Sequence, residues 1–229
     1  MSIYAIADLH LSSSGEKPMD IYGGEWVNHT KKTEENWRRT VGNDDTVIIA
    51  GDSSWSLRQK DATDDLMWIA ALPGKKVLIK GNHDLWWASV SRLNMLDPSM
   101  FFLQNTHYEA EGVAICGSRG WICPGDSYFY ADDERIYARE LRRLEMSLAS
   151  ARNAGHSRII AVLHFPPTND KKDASGFVRL VREYGAERVL YGHLHGADTF
   201  GRSIRGYHYG TEYSLISLDY LHCTPLLIL

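Results

Sequence analysis

The chain has 229 residues, 25 Lys plus Arg against 29 Asp plus Glu, 44% hydrophobic residues, three cysteines and ten histidines. That length suffices for one domain over residues 1–229 with a substantial core and no disulfide staples, and the formal net charge of -4 excludes a general electrostatic binder of nucleic acid or anionic lipid. Cys116, Cys123 and Cys223 form no C-x-x-C pair, so neither a disulfide framework nor a zinc knuckle is indicated.

The chain opens on an apolar run, residues 3–7, with no basic leader before it and no long hydrophobic stretch later. A cytoplasmic protein that meets no membrane is therefore expected. Short β-branched runs follow at 47–50, 77–79, 113–115, 159–163 and 189–191, each of a length that suits a buried strand. Between them, apolar spacing predicts helices over about 26–41, 57–72, 85–95, 132–154 and 175–184. The longest carries Ile136, Leu141, Leu144, Leu148 and Ala151 on one stripe, with Arg139, Arg142 and Arg143 placed on a solvated face. This alternation argues for a layered α/β fold. Residues 199–229 have glycines among Tyr, Ile and Leu with no helical period, and read as consecutive strands that would make the sheet mixed.

The histidines cluster where strands end. Asp8-Leu9-His10, Gly51-Asp52, Gly81-Asn82-His83-Asp84, His164 and Gly192-His193-Leu194-His195 each follow one of five predicted strands. Loops at the carboxyl ends of strands in α/β sheets converge on one crevice. Asp8 and His10 are two residues apart, as are His193 and His195, so extended backbone would point each pair to one side. Carboxylate, imidazole and amide oxygen without thiolate suit divalent Mn, Fe, Zn or Co, and there are more ligands than one ion needs.

In these five ordered blocks (D-x-H, G-D, G-N-H-D, H and G-H-x-H) the chain resembles the calcineurin-like metallophosphoesterase superfamily. The resemblance implies an αββα sandwich with mixed sheets and two divalent metal ions per chain, Mn, Fe or Zn. One would be held by Asp8, His10, Asp52 and His195, the other by Asp52, Asn82, His164 and His193, with Asp52 shared. Such centres, with ions about 3.5 to 4 Å apart, clamp both ends of an in-line displacement and lower the pKa of water towards about 7. A bridging hydroxide would attack, His83 would protonate the departing oxygen as general acid, and Asp84 would orient His83. The implied activity is that of a phosphohydrolase acting on a phosphomonoester or small phosphodiester.

Departures from related patterns narrow this. The second block reads Gly51-Asp52-Ser53-Ser54-Trp55, without the D-R-G of protein Ser/Thr phosphatases and diadenosine tetraphosphatases. Trp55 also stands where purple acid phosphatases carry a metal-binding tyrosine, and an indole offers no lone pair to a metal. A non-catalytic scaffold of the same fold would have lost ligands, and none is missing. A nuclease would need a basic track or aromatic groove, so a nucleic-acid polymer is disfavoured and a small phosphoester is the expected partner.

Outside the blocks, Trp55, Trp86 and Trp87 read foremost as packing, with base stacking as the alternative. Residues 117–130 read as a long loop that could form a lid, Arg119 as a candidate phosphate clamp, and Lys80 as a strand end in solvent. Pro166 and Pro167 stiffen the backbone after His164. His29 and His208 are candidates for the crevice rim, and His107, His156 and His222 have no assigned role.

Overall fold

The computed structural model describes residues 1–13, 15 and 17–229. Its strands are β1 (Ile3–Ile6), β2 (Thr46–Ala50), β3 (Lys75–Ile79), β4 (Met100–Phe102), β5 (His107–Ala110), β6 (Val113–Ser118), β7 (Ile159–Leu163), β8 (Arg188–Tyr191), β9 (Gly206–His208), β10 (Thr211–Leu215) and β11 (Leu226–Leu227). The α-helices are α1 (His29–Thr40), α2 (Thr63–Ala70), α3 (Val90–Leu93), α4 (Asp133–Asn153) and α5 (Gly176–Glu183), and two short 3-10 turns, Met19–Tyr22 and Gly24–Trp26, precede α1.

The strands form two mixed sheets, ordered β11-β1-β2-β3-β4 and β5-β6-β7-β8-β10-β9. Strand pleating separates alternate residues into distinct apolar layers. Ile3, Ala5, Ile48 and Val77 from the first sheet join Ile115, Ile160, Val162 and Leu190 from the second in the layer between the sheets. The opposite face of the first sheet, with Ile6, Val47, Ile49 and Leu78, packs with Trp37 of α1 and Leu66 and Ile69 of α2. The outer face of the second, with Ala161, Leu163 and Val189, packs with Leu144 and Leu148 of α4 and Phe177 and Val181 of α5. This is the expected αββα sandwich. Coverage on both faces explains why the central strands, such as Thr46–Ala50 and Ile159–Leu163, are unbroken buried runs. Each fully buried Val, Leu or Ile contributes about 1.5–3 kcal/mol.

Helix boundaries depart from the periodicity where local backbone intervenes. The first begins at His29 rather than 26, because Gly23, Gly24 and Asn28 all take positive φ and turn the chain before it can wind. The second begins at Thr63 rather than 57; Leu57, 61% exposed, has no apolar face to join. The third shrinks to Val90–Leu93, since Trp86 and Trp87 are drawn into contact with Phe102. The last two match within a residue or two, with the Ser175 hydroxyl capping α5 by accepting from the Phe177 and Val178 N–H groups.

The terminal segment is not one run of consecutive strands. β9 and β10 form an antiparallel pair that extends the second sheet, while β11 crosses to pair antiparallel with β1 of the first. β4 and β5, three and four residues long, lie outside the runs that predict strands. All three cysteines are buried and free, and burial pushes the thiols of Cys116 and Cys123 up to about 12. No helix among the described residues is long and apolar enough to cross a membrane.

Candidate metal centre

The five blocks lie at the carboxyl ends of β1, β2 and β3 in one sheet and of β7 and β8 in the other, so the two sheets jointly build one crevice. The backbone there is not extended. Asp8, His10, Asp52 and His193 adopt φ of 62°, 44°, 51° and 72°, a left-handed conformation that costs a non-glycine residue about 1–3 kcal/mol. These turns correct the expectation that each D-x-H or H-x-H pair points to one side. Asp8 and His10 do converge, together with His195, but His193 joins Asp52 and His164 instead.

In each of these two triads the ligand atoms lie within 4.8 Å of one another. His10 Nε2 and His195 Nε2 are 3.3 Å apart, and Asp8 Oδ1 is 3.6 Å from His195 Nε2. In the second triad, Asp52 Oδ2 lies 3.2 Å from His164 Nε2, and beside the triad Asn82 Oδ1 lies 2.7 Å from the same nitrogen. Asp52 Oδ2 is also 3.9 Å from His10 Nε2, which places this carboxylate between the triads.

Other contacts fix these groups from behind. The Asp8 Oδ2 atom accepts the His193 N–H at 2.9 Å, and Asp52 Oδ1 accepts the His83 N–H at 2.7 Å. The Ala50 carbonyl accepts from His164 Nδ1 at 2.9 Å, leaving Nε2 directed at the second triad. Two glycines admit the carboxylates: a Cβ on Gly192 would lie 2.6 Å from Asp8 Oδ2, and one on Gly81 would collide with Asp52 Oδ1 and its own N–H nitrogen.

The donor set fits divalent cations. Asp8 Oδ1 is buried without a hydrogen-bond partner while facing imidazole nitrogen, an arrangement that a cation would satisfy, and hard oxygen with imidazole suits Mn, Fe or Zn.

Electrostatics in the metal-free chain follow from proximity. Burial opposes charge on every group. For Asp8, the charges of His195, His164 and His10 overcome burial and hold the carboxyl down at about 2. Asp52 is likewise held below the usual carboxylate range by His164 and His10. Burial would lower His164 and His195, yet Asp52 raises the former to about 9, and Asp8 with Asp219 raises the latter to about 10. His10 and His193 yield to burial and fall to about 3. Burial also lowers His83, with Asp52 opposing.

Asp84 does not orient the His83 ring. Its oxygens accept the N–H groups of Asp52, Ser53 and Gly81 at 2.9, 2.9 and 2.7 Å and the Trp86 indole at 3.0 Å, so it ties the second block to the third. The His83 ring packs beside Trp55, centroids 4.2 Å apart, and lines the open cleft.

Arg119 is not positioned as a phosphate clamp. It lies 4.3 Å over the Trp121 ring, and its guanidinium reaches the buried Glu140 at 3.5 Å, as Arg139 and Arg143 do at 3.2 and 2.9 Å. Those two arginines are therefore ion-paired rather than simply solvated. Lys80 is half-buried near Arg119 rather than in solvent, and burial and that charge lower its pKa. Of the tryptophans, Trp86 is core, Trp87 packs on Phe102, and Trp55 stacks on His10 at 4.7 Å and 22°.

His29 is buried behind the crevice against the Leu9 carbonyl, and His208 sits on exposed β9, so neither rims it. His222, Trp26 and Phe200 do line the cleft. So does Asp219, whose Oδ1 accepts from His195 Nδ1 at 3.0 Å. A lone aspartate in a terminal strand region carries no motif by which it could be found.

A family model described as calcineurin-like phosphoesterase matches residues 1–197. Among curated proteins, the Gene 66 proteins of Mycobacterium phages L5 and D29 are 37% and 34% identical over 78 and 83 residues, 34% and 36% of this chain. Those matches span only 37% and 40% of the relatives' own lengths. Among solved structures, phosphopantetheinyl hydrolase from Mycobacterium tuberculosis superposes with a TM-score of 0.55 at 17% identity, covering 100% of this chain and 95% of that one. A protein of unknown function from Aquifex aeolicus gives 0.54 at 16%, covering 99% and 95%. At such identities the likeness extends to the fold alone.

Proposed function

Because the chain belongs to the calcineurin-like phosphoesterase family, we propose that it is a metal-dependent hydrolase cleaving a phosphomonoester or small phosphodiester. The carrying observation is Asp52, whose Oδ2 stands 3.9 Å from His10 Nε2 and 3.2 Å from His164 Nε2, between two triads of ligand type. In this reading Asp8, His10, Asp52 and His195 hold one divalent cation, and Asp52, Asn82, His164 and His193 hold the second. When bound, such a pair supplies Lewis-acid polarisation of phosphoryl oxygen and acidifies water.

The chain's own residues supply the remainder. Left-handed turns at Asp8, His10, Asp52 and His193 aim the ligands inward, and hydrogen bonds from the His193 and His83 N–H groups keep the Asp8 and Asp52 carboxylates from relaxing. His83 faces the cleft from the residue after Asn82, with its backbone N–H anchored on Asp52, and gives a proton to the departing oxygen. General acid assistance of this kind is worth about 10² to 10⁴ in rate.

The test is metal analysis followed by turnover of mono- and diester substrates with Mn, Fe, Co, Zn and Mg, for the wild type and His83→Asn. Two ions per chain in both proteins, with turnover of poor leaving groups lost in the variant by about 10² or more, are the expected results. Fewer than two ions in every condition, with no hydrolysis, would reject the assignment.

A further inference from the structure

The cleft has a volume of 630 Å³ and runs well past the metal-facing residues. Ligand pockets typically span about 300–1,000 Å³, so there is space here for more than a phosphoryl group. Away from Asp52 and His83 the wall is made by the rings of Tyr22, Trp26 and Phe200, separated by the bare backbone of Gly23 and Gly24. Trp26 is braced edge-on against His10 and His195, with centroids 5.7 and 5.3 Å away, and Phe200 against Tyr220 at 5.1 Å. Tyr22, by contrast, is 67% exposed at the mouth. Braced rings facing an open space, with a wet one at its edge, offer a surface that gains by being covered with another ring.

Charge narrows the ligand further. Among the described residues, no Lys or Arg lines this cleft, whereas the carboxylates of Glu25 and Asp219 do. Glu25 is itself shared between Lys32 Nζ at 3.8 Å and the exposed His222 Nδ1 at 3.0 Å. Lys17 lies 4.6 Å over the Trp55 ring, beside His83 and so at the phosphoryl end. A second phosphate at the far end would find the Glu25 carboxylate and, among the described residues, no lining Lys or Arg.

We propose that the far end of this cleft binds the organic arm of the substrate, and that the arm bears no negative charge and carries an aromatic ring. The substrate class is then a phosphoester with a single phosphoryl group, not a polyphosphate or polynucleotide. This inference rests on the hydrolase reading for the position of that group.

Four non-hydrolysable probes test it: phenyl-, cyclohexyl-, ethyl- and 4-carboxyphenylphosphonate, titrated calorimetrically into Mn-loaded protein. Phenylphosphonate is expected to bind about tenfold tighter than the ethyl and carboxyphenyl probes and measurably tighter than the cyclohexyl one. Its advantage over the ethyl probe should fall to within about threefold in Tyr22→Ala and in Phe200→Ala. Tyr22 is exposed, so that variant keeps its fold even if Phe200→Ala does not. Equal binding of phenyl and ethyl probes, a cyclohexyl or carboxyphenyl probe that binds as well as phenyl, an unchanged preference in Tyr22→Ala, or no binding at all would overturn the proposal. If the phenyl preference holds while no phosphoester is turned over with any metal, the hydrolase reading fails and the aromatic arm site stands.

Discussion

Asp219 Oδ1 lies 3.0 Å from His195 Nδ1, and the same carboxylate accepts the Gly196 N–H through Oδ2 at 2.8 Å. The aspartate therefore fixes both the ring and the backbone that follows it. With Nδ1 donating to Asp219, Nε2 is the nitrogen that faces Asp8 and His10, and it offers a lone pair there once its proton has left. Carboxylates behind ligating histidines commonly carry a factor of about 10 to 100 in metal affinity. Asp219→Ala is expected to weaken one of the two metal-binding events by that factor and leave the other within about twofold. Competition titration against a chelator measures both. Equal weakening of both events, or none, would remove Asp219 from this role.

Gly81 and Asp52 meet too closely for any side chain at position 81. A Cβ there would overlap Asp52 Oδ1 and the Asp52 backbone nitrogen, neither of which can yield without moving the Asp52 carboxylate. Gly81→Ala is expected to lose both metals together, with a stability cost of about 1–3 kcal/mol from overpacking. Gly112→Ala is the control: its φ of +71° is strained for alanine, but nothing lies within 4 Å of the added Cβ. That variant should lose about 1 kcal/mol and bind metal normally. Metal content after gel filtration, read beside the melting temperature, separates the two outcomes.

Protonation and metal binding compete at His164 and His195. Burial disfavours their charge, but facing carboxylates raise them from 6.5 to about 9 and about 10 in the metal-free chain. A histidine raised in the folded state stabilises fully below its unfolded pKa of about 6.5, and that contribution is lost as pH rises through the folded value. Asp8, held at about 2, adds stability that is constant above the ordinary carboxylate range and does not alter the sign. Chelated protein should therefore melt at falling temperature from about pH 6.5 to 8, above which Lys76, held down to about 8 by burial, contributes in the opposite sense. Metal affinity should rise over the same window, with protons released on binding near neutral pH. Calorimetry in buffers of different ionisation enthalpy counts those protons; a release of none would show that both rings are already neutral.

The strands and the five blocks were legible because both signals are local: an unbroken apolar run marks a strand covered on both faces, and a ligand block follows at its carboxyl end. Helix ends were less so at 26–29 and 85–90, where Asn28 turns left-handed and Trp86 and Trp87 are drawn to Phe102, a contact distant in sequence. The same limit explains Asp219, Trp26 and Phe200. Asp219 reaches the crevice from the segment between β10 and β11, Trp26 from the second 3-10 turn and Phe200 from the segment between β8 and β9, and no spacing along the chain records that proximity. Arg119 failed for the converse reason: its position suggested a phosphate, while buried Glu140 supplied a nearer partner.

β3 offers a way to separate stability from the metal centre, because its two ends do different things. At its start, Lys76 is 1% exposed, and its ammonium donates to the carbonyls of Ala70, Leu72 and Gly74 at 3.0, 2.8 and 2.8 Å, closing the end of α2. Beyond its other end lie Gly81 and Asn82. Lys76→Met fills a similar volume but leaves three carbonyls without a donor. Hydrogen bonds from a charged donor are worth about 1.5–3 kcal/mol each, and the removed cost of burying the ammonium offsets part of their loss. A net destabilisation of about 2–4 kcal/mol is expected. Since the strand register from Val77 to Ile79 is held by pairing with β2 and β4, the Asp52, Asn82 and His164 cluster should be undisturbed. Urea unfolding should shift to lower midpoint while metal stoichiometry in buffer stays that of the wild type. If metal is lost in parallel, the strand transmits strain along its length and the two ends are not independent.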